Sequence, residues 1–177
     1  MIRVRIAFGD GDGSGVVYDT YDKYGLIYIS SDDVTEAPLK SMDTTEYANE
    51  AGEHIDRRAA QNAFDYKVKF AVEGYNKNLD NANAKIDVFN KAMYTTKSGS
   101  DIRTFKEVTF YDDYKRVKIV GIPKPVNKPT DFYRKENGQE LDCVQFEFTI
   151  RVADPRKCDF NLHREGDKRS VRKGKEG

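Results

Sequence analysis

The clearest pattern in the sequence is an alternation of apolar and polar residues between positions 141 and 152. Successive side chains of a β-strand point to opposite faces, so this period of two predicts one long strand with an apolar and a polar face. Asp154 and Pro155 follow and end the strand, because proline has no backbone N–H to donate to a ladder. The apolar face consists of Val144, Phe146, Phe148, Ile150 and Val152.

Shorter runs of the same kind predict further strands, with turn residues between them. The Gly-rich run at 9–15 is expected to form the turn between the first two of these strands, which predicts a hairpin. The residues at 30–33 end the third strand, and the Asp-Asp-Tyr sequence at 112–114 connects the last two. Pro123 and Pro125 are expected to close the final one. The predicted strands cover residues 2–8, 16–18, 24–29, 66–72, 104–111 and 116–122.

One stretch has a helical period. Its apolar residues recur every three or four positions, which predicts an amphipathic helix of about four turns, the only long one in the chain. Asn78 or Asp80 is suited to cap its start, and Ser98 with Gly99 is suited to stop it. The apolar stripe consists of Leu79, Ala82, Ile86, Phe89 and Met93.

Three stretches contain few residues to bury. Residues 35–63 are polar and acidic, and this length exceeds the ~4–6 residues of most connections in compact domains. We expect such a stretch to be either disordered or used for contact. Residues 127–139 are predicted to be a polar loop with turn signals. Residues 161–177 are predicted to be a flexible basic tail.

Strands at short spacing with a single helix predict a mainly β (α+β) fold. We expect an antiparallel β-sandwich or partly closed barrel with one flanking α-helix. The chain of 177 residues, 38% of them hydrophobic, suits a single domain, which we place at residues 1–160. The long 35–63 stretch is then an arm or loop of that domain.

Charge changes this picture in one respect. Lysine and arginine residues number 30, as do aspartate and glutamate residues. This balance argues against a basic nucleic-acid binder and against a protein of the membrane surface. Residues 1–56 hold 12 acids and 4 bases, a net charge of −8, and the remainder holds 18 acids and 26 bases, a net charge of +8. Either this polarity attracts one copy to another, or the charges interleave once the chain folds.

Two cysteines, Cys143 and Cys158, are too few for a disulfide framework or a four-ligand zinc site, so we interpret both as reduced thiols. The N-terminus alternates charged and apolar residues and has no apolar core of a signal peptide, and no run is long enough to span a membrane. We therefore expect synthesis and folding in a cytoplasm, without a membrane partner.

The Gly-rich run contains Asp10, Asp12 and Ser14 at the spacing with which an EF-hand calcium loop begins. The twelfth position of that motif is a glutamate, whereas it is Tyr21 here, and the flanking patterns are those of strands. A plain glycine turn is therefore the favoured interpretation, and calcium is the alternative. The run also lacks the Lys-Ser/Thr pair of a phosphate-binding P-loop.

No residue set suited to catalysis stands out. The two histidines, His54 and His163, fall in the 35–63 stretch and in the tail, so a Cys–His pair would require the fold to bring Cys158 close to His163. The carboxylate pairs at 32–33 and 112–113 come at strand ends, where turn chemistry accounts for them. The sequence therefore predicts no enzyme, no cofactor and no catalytic residue.

The order of these patterns resembles the N-terminal domain of the phage distal tail protein (Dit). The resemblance spans residues 1–160 and is one of element order, ending in a strand of alternating aromatics followed by a proline. Its parts are the strand at 24–27, Gly52 in the polar loop, the strand at 65–70, the helix with Ile86, Phe89 and Asn90, the strand–turn–strand at 110–117, the strand at 144–148, and Asp154 with Pro155.

The resemblance implies a β-sandwich or barrel with one flanking helix, assembled into a hexameric ring whose central hole passes DNA without reading its sequence. On this basis we expect a structural tail protein of a phage or prophage that joins the tail tube to the baseplate tip. Its partners would be further copies of itself and the tube, tape-measure and tip or hub proteins. It would be assembled in the bacterial cytoplasm and reside in the virion tail, with residues 35–63 as the inter-subunit arm.

Two other functions stay open. One is a subunit of a tail tube or injection tube, which would stack into long tubes instead of single rings. The other is a small carbohydrate- or lipid-binding β-sandwich, which would need a closed apolar pocket with convergent polar groups. Many distal tail proteins carry a second, carbohydrate-binding-like domain, which the tail at 161–177 does not match, so we do not expect receptor binding.

Overall fold

A computed structural model describes residues 2–9, 15–34, 36–37, 44–46, 53–55, 62–74, 79–127 and 143–162 of the protein. In chain order its elements are β1 (Arg5–Gly9), β2 (Tyr18–Asp19), α1 (Thr20–Tyr24), β3 (Leu26–Ser31), β4 (Thr44–Glu46), β5 (Glu53–Ile55), β6 (Phe64–Glu73), α2 (Leu79–Ala92), β7 (Tyr94–Thr96), β8 (Arg103–Phe105), β9 (Glu107–Asp112), β10 (Val117–Lys124) and β11 (Cys143–Val152), followed by a 3-10 turn at Pro155–Lys157.

Seven of the strands form one sheet in the order β2-β1-β9-β10-β11-β6-β3, and each neighbouring pair is antiparallel. Among the described strands, β4 pairs with β5 and β7 with β8 in two separate hairpins. The seven-stranded sheet does not close into a barrel. The predicted class, a mainly β antiparallel fold with one long flanking helix, is confirmed.

The sheet has two halves, β2-β1-β9-β10 and β10-β11-β6-β3, and β10 belongs to both. Its first five residues pair with β9, and its last three pair with β11. Gly121 stands at this change of partner, where a Cβ would lie 2.3 Å from the carbonyl oxygen of Arg151, so only glycine permits the approach. Pro123 lies inside the strand, which corrects the expectation that it closes it. After Gly121, β10 no longer pairs with β9. A strand that has a neighbouring strand on one edge only tolerates a proline.

The core lies between the two halves of the curled sheet and under α2. β11 and β6 share a ladder of ten register pairs, and the apolar side chains on the inner face of β11 are buried as the alternation predicts. Phe89 of α2 packs on this ladder, with ring centroids 5.2 Å from Phe148 and 6.4 Å from Phe70. Phe70 in turn lies 6.5 Å from Phe110 of the opposite half. One continuous core therefore includes both halves.

α2 is the only long helix in the described part of the chain, as predicted. Its buried face holds Ala82, Ile86 and Phe89. Both predicted ends differ, however. Asp80 lies in the first turn instead of at the cap, and Asn78 lies outside the described residues. The helix ends at Ala92, before the predicted stop, because the chain turns there into β7.

α1 is a short helix that the apolar pattern did not predict. Asp19 caps its start, since its carboxylate accepts hydrogen bonds from the backbone N–H groups of Tyr21 at 2.9 Å and Asp22 at 3.1 Å. Gly25 ends it with a φ of 68°, a conformation that glycine adopts without strain. The strand expected at 24–29 therefore runs from Leu26 to Ser31 instead.

Three other expectations are corrected or fall outside the described residues. The stretch at 35–63 contains β4 and β5, a hairpin where no strand was predicted. The strand expected at 104–111 is two strands, β8 and β9. Most of 35–63, the loop from 128 onward and the predicted tail beyond residue 162 lie outside the described residues. No helix among the described residues is long and apolar enough to cross a membrane.

Candidate functional site

The sequence candidates for metal binding and catalysis lie mostly outside the described residues. This holds for the calcium candidates Asp10, Asp12 and Ser14 and for His163, while His54 lies in β5, of which only the backbone is described. Within the described ranges, no group of three or more His, Cys, Asp or Glu residues is placed to hold a metal ion. The glycine turn favoured over a calcium loop, and the expectation that no Cys–His pair forms, therefore stay predictions.

Both cysteines are described, and neither forms a disulfide, which confirms the prediction of reduced thiols. The Cys158 sulfur accepts a hydrogen bond from the backbone N–H of Val120 at 3.4 Å. Burial raises the pKa of the Cys158 thiol, so the reactive thiolate is disfavoured. The segment around Cys158 lies beside the first half of β10, where Lys118 and Asp159 exchange backbone hydrogen bonds of 2.7 and 2.9 Å. The segment that contains Cys158 thus hydrogen-bonds to the first half of β10.

One carboxylate, Asp112, is fully buried among the described residues. Its Oδ1 accepts hydrogen bonds from the backbone N–H groups of Tyr114 at 3.0 Å and Lys115 at 2.9 Å, which is the turn role predicted for it. Its Oδ2 accepts hydrogen bonds from the Tyr28 hydroxyl at 2.8 Å and the Ser31 hydroxyl at 3.0 Å. Four donors therefore satisfy this one carboxylate.

The groups around Asp112 join β3 to the β9–β10 turn. Lys115 places its Nζ 2.7 Å from a carboxylate oxygen of Asp33 and also donates to the backbone carbonyl of Ser31. Burial raises the pKa of Tyr28, and a hydrogen bond to Asp112 acts in the same direction. The phenol therefore stays protonated at neutral pH and holds the carboxylate instead of exchanging protons with it. This cluster is suited to fixing the fold.

Tyr66 adds one further polar atom to this region. Its hydroxyl is buried and has no hydrogen-bond partner within the described part of the chain. Burial raises the pKa of Tyr66, so this phenol too stays protonated near neutrality. The tyrosine ring packs 6.1 Å from Phe110 across the core. Its place is therefore explained by packing.

The ends of the sheet offer surfaces for contact. β3 is a terminal strand, and among the described strands it pairs only with β6. Such an edge presents backbone N–H and C=O groups to any chain that approaches. Ile29 is 39% exposed where the register between β3 and β6 shifts, and Asp32 and Asp33 follow. The other terminal strand, β2, is only two residues long.

The β7–β8 hairpin is a second surface of this kind. A hydrogen bond of 2.8 Å from the Lys106 N–H to the Met93 carbonyl closes its base. Tyr94 and Phe105 are in ring contact there at 5.9 Å, and the Arg103 guanidinium lies 4.6 Å from the centre of the Tyr94 ring. Residues 95–104 are exposed except for one, so the hairpin projects from the domain. The sequence pattern does not predict this hairpin, because strands of three residues are too short to show a period.

No known protein family and no curated protein matches this sequence. Among solved structures, the fold is similar to a chain of the phage p2 baseplate in its activated conformation with Sr, with a TM-score of 0.52 and 9% identity over 88% of this chain and 45% of that one. It is also similar to SPP1 Dit, described as a paradigm of hub adsorption apparatus in Gram-positive infecting phages, with a TM-score of 0.48 and 14% identity over 86% of this chain and 50% of that one. The chain spans about half the length of either structure. The expected resemblance is confirmed as a distant likeness in fold to phage baseplate proteins.

Proposed function

We propose that this chain is a structural protein of a phage or prophage tail, a subunit of the ring that joins the tail tube to the baseplate tip. The observation that supports this most is the fold shared with a phage p2 baseplate chain over 88% of this chain. In this role the protein is a scaffold with no enzymatic activity and no cofactor. It resides in the virion tail after assembly in the bacterial cytoplasm.

The two sheet edges give this proposal a physical basis. A closed ring lets each subunit present one surface to the neighbour ahead and a different one to the neighbour behind. Pairing between copies would satisfy the backbone groups that an open sheet leaves at its ends. The net charge of −8 in residues 1–56 and of +8 in the remainder adds a head-to-tail attraction.

The partners follow from the same role. They are further copies of the chain, six to a ring, together with the tube, tape-measure and tip or hub proteins. DNA passes through the central hole without base readout. The stretch at 35–63, in which β4 and β5 form their own hairpin, is the proposed inter-subunit arm.

The chemistry of the described residues supports a scaffold over an enzyme. Asp112, the one buried carboxylate there, is satisfied by four donors and faces a phenol whose pKa burial has raised. A carboxylate that acts as a general acid or base must instead lie within hydrogen-bond reach of the proton that it transfers. A buried carboxylate held in this way is suited to a structural role.

Light scattering and negative-stain electron microscopy of the purified full chain test the proposal. We expect closed rings of about six subunits, as in the proposed role, because contacts between unlike surfaces form a ring when the rotation between copies closes. Long tubes would show a tube subunit instead. A protein that stays monomeric at high concentration would contradict the ring.

Labelling in assembled tails tests the position. A gold label on a tagged copy is expected at the junction of tube and tip. Label along the whole tube would again indicate a tube subunit, and tails without label would overturn the tail role.

A further inference from the structure

We infer that the β7–β8 hairpin of one copy docks on the β3 edge of a second copy, with Ile102 against Ile29. The inference rests on the self-assembly proposed above and identifies the two surfaces that make the contact. It concerns a contact between unlike surfaces, so every copy uses both.

The projecting part of the hairpin is suited to contact with a partner. A two-stranded hairpin is marginally stable in water without a further layer. Ile102, next to its tip, is 72% exposed and is the most exposed large hydrophobic residue in the described part of the chain. An apolar side chain at the end of a projecting element is suited to anchor a contact once a partner desolvates it. Arg103 and Lys97 flank it with positive charge.

The β3 edge has the complementary features. Ile29 provides an exposed apolar side chain at the bulge of the strand. Three acids follow it, Asp32, Asp33 and Glu36. Lys115 is ion-paired with one of them, Asp33. The other sheet edge, β2, consists of Tyr18 and Asp19 alone, and Val16 and Val17 before it are exposed. Its two residues offer a shorter ladder than the six of β3, and its one acid is ion-paired with Arg3.

Charge selects a pairing between unlike surfaces. The hairpin with its base holds Lys97, Arg103 and Lys106 against the single acid Asp101, a net charge of +2 for residues 94–106. Residues 29–37 have a net charge of −3, and Lys115, which is ion-paired with Asp33, reduces the charge of this surface to −2. Opposite potentials favour the hairpin on the β3 edge, whereas two hairpins or two β3 edges would repel each other.

The geometry places this contact between molecules. Tyr28 and Ser31 of β3 bind Asp112, the last residue of β9. The hairpin ends at Phe105, only one residue before β9 begins. The six residues of β9 separate the two surfaces by about 17 Å along the strand. One molecule therefore cannot bring its own hairpin onto its own β3 edge. Head-to-tail repetition of the contact builds the ring proposed above when the rotation between copies closes.

Cysteine cross-linking tests the contact directly. A tagged copy with Ile102→Cys is mixed with an untagged copy with Ile29→Cys and oxidised. We expect a disulfide-linked heterodimer between the two. The matched control replaces Ile102→Cys by Val88→Cys, which is 57% exposed on α2 and outside the proposed contact. Equal cross-linking in both mixtures, or none with Ile102→Cys, overturns the inference.

Charge reversal gives a second readout. Arg103→Glu is expected to raise the concentration at which the protein assembles by at least tenfold, and Glu36→Arg in the same chain, at an exposed acid of the β3 edge, is expected to restore it. Lys91→Glu, an exposed reversal on α2, is the control and should leave assembly unchanged. Circular dichroism of each variant confirms that the fold persists. Assembly unaffected by Arg103→Glu would contradict the contact.

The outcomes separate the two proposals. A wild-type chain that never assembles defeats both the ring and this contact. Wild-type rings that survive Arg103→Glu and yield no cross-link between positions 102 and 29 defeat the contact alone and leave the ring in place.

Discussion

The β11–β6 ladder and the β7–β8 hairpin are both antiparallel strand pairs, yet they differ in almost every other respect. The first has ten register pairs, and one of its faces is buried under α2 and the opposite half of the sheet. The second has three pairs, and four of its six strand residues are exposed, while Tyr94 and Phe105 at its base pack against the core. Hydrogen bonds within a ladder replace those to water and contribute little net stability, so the covered face makes the difference. We infer that the ladder stabilises the domain and that the hairpin contributes contacts outside it.

The two faces of the ladder itself show the same contrast. The inner face packs aromatic rings, with Phe70 and Phe146 at 5.9 Å. The outer face holds ion pairs, among them Asp65 with Lys124 at 3.0 Å and with Arg151 at 3.3 Å. Solvent screens such pairs, and each contributes at most about 1 kcal/mol. The free energy of unfolding lost on substitution is therefore expected to depend on whether a side chain is buried, and not on whether its residue belongs to the ladder.

The largest effect is expected for Phe148→Ala in the centre of the covered face. The variant leaves a cavity beside Phe70 and Phe89 and should lower the free energy of unfolding by about 4 kcal/mol. Urea denaturation followed by circular dichroism measures it. Thr149→Ala, the next residue on the outer face, is the control, and an equal loss there would erase the contrast between the faces.

Asp112→Ala should have the next largest effect. The variant removes the acceptor of the buried Tyr28 hydroxyl bond and of three part-buried bonds, those from the Ser31 hydroxyl and two backbone N–H groups, which costs about 3 kcal/mol. The neighbouring Asp113→Ala removes a partly exposed bidentate pair with Arg5 and should cost no more than about 1 kcal/mol. Similar losses for both variants in urea denaturation would show that burial does not decide the effect.

A smaller, pH-dependent effect is expected on the outer face. The side-chain hydrogen bond from Lys124, followed by that from Arg151, lowers the pKa of Asp65 from its usual 3.8. A carboxylate with a lowered folded pKa stabilises the fold above its unfolded pKa, and this contribution is lost as the pH falls through the folded pKa. Asp65→Asn should therefore be a few tenths of a kcal/mol less stable than wild type at pH 7. This gap should shrink below pH 3.8.

Urea titrations at neutral and acidic pH measure this difference. The same titrations in 1 M salt are the control, because screening should remove the difference at neutral pH. A gap that persists at the lowest pH would show that the charge of Asp65 is not its cause.

The smallest effect on stability is expected for Ile102→Ser near the hairpin tip. An exposed substitution away from packed groups changes the free energy of unfolding by less than about 0.5 kcal/mol. Assembly, by contrast, should weaken clearly if the hairpin serves contact. A loss of stability comparable to that of Phe148→Ala would show that the hairpin belongs to the core after all.

Long periodic elements were predictable from the sequence, and short ones were not. β11 and β6 repeat one period over ten residues each, and α2 repeats its own over 14. α1, β7 and β8 are too short to repeat any period, and their ends depend on local hydrogen bonds such as those of Asp19. The strand through Pro123 was missed for another reason, because its tolerance depends on β9 leaving β10 at Gly121.

The candidate contacts divide in the same way. The turn role of Asp112 was predictable, since its Oδ1 binds residues two and three positions further along. Its burial was not, because Tyr28 and Ser31 lie 84 and 81 residues away in the sequence. The unequal distribution of charge could be counted from residues alone, whereas the surfaces that carry it required the fold.

By itself, the sequence determined which residues are buried in the long strands and in α2, because a side chain's face follows from its position within a repeating element. Only the tertiary structure decided the strand order, the change of partner along β10 and the four donors around Asp112. These features join residues far apart in the chain. Local periodicity does not show which distant segments pair, because the pairing depends on how the apolar faces of all the elements pack into one core.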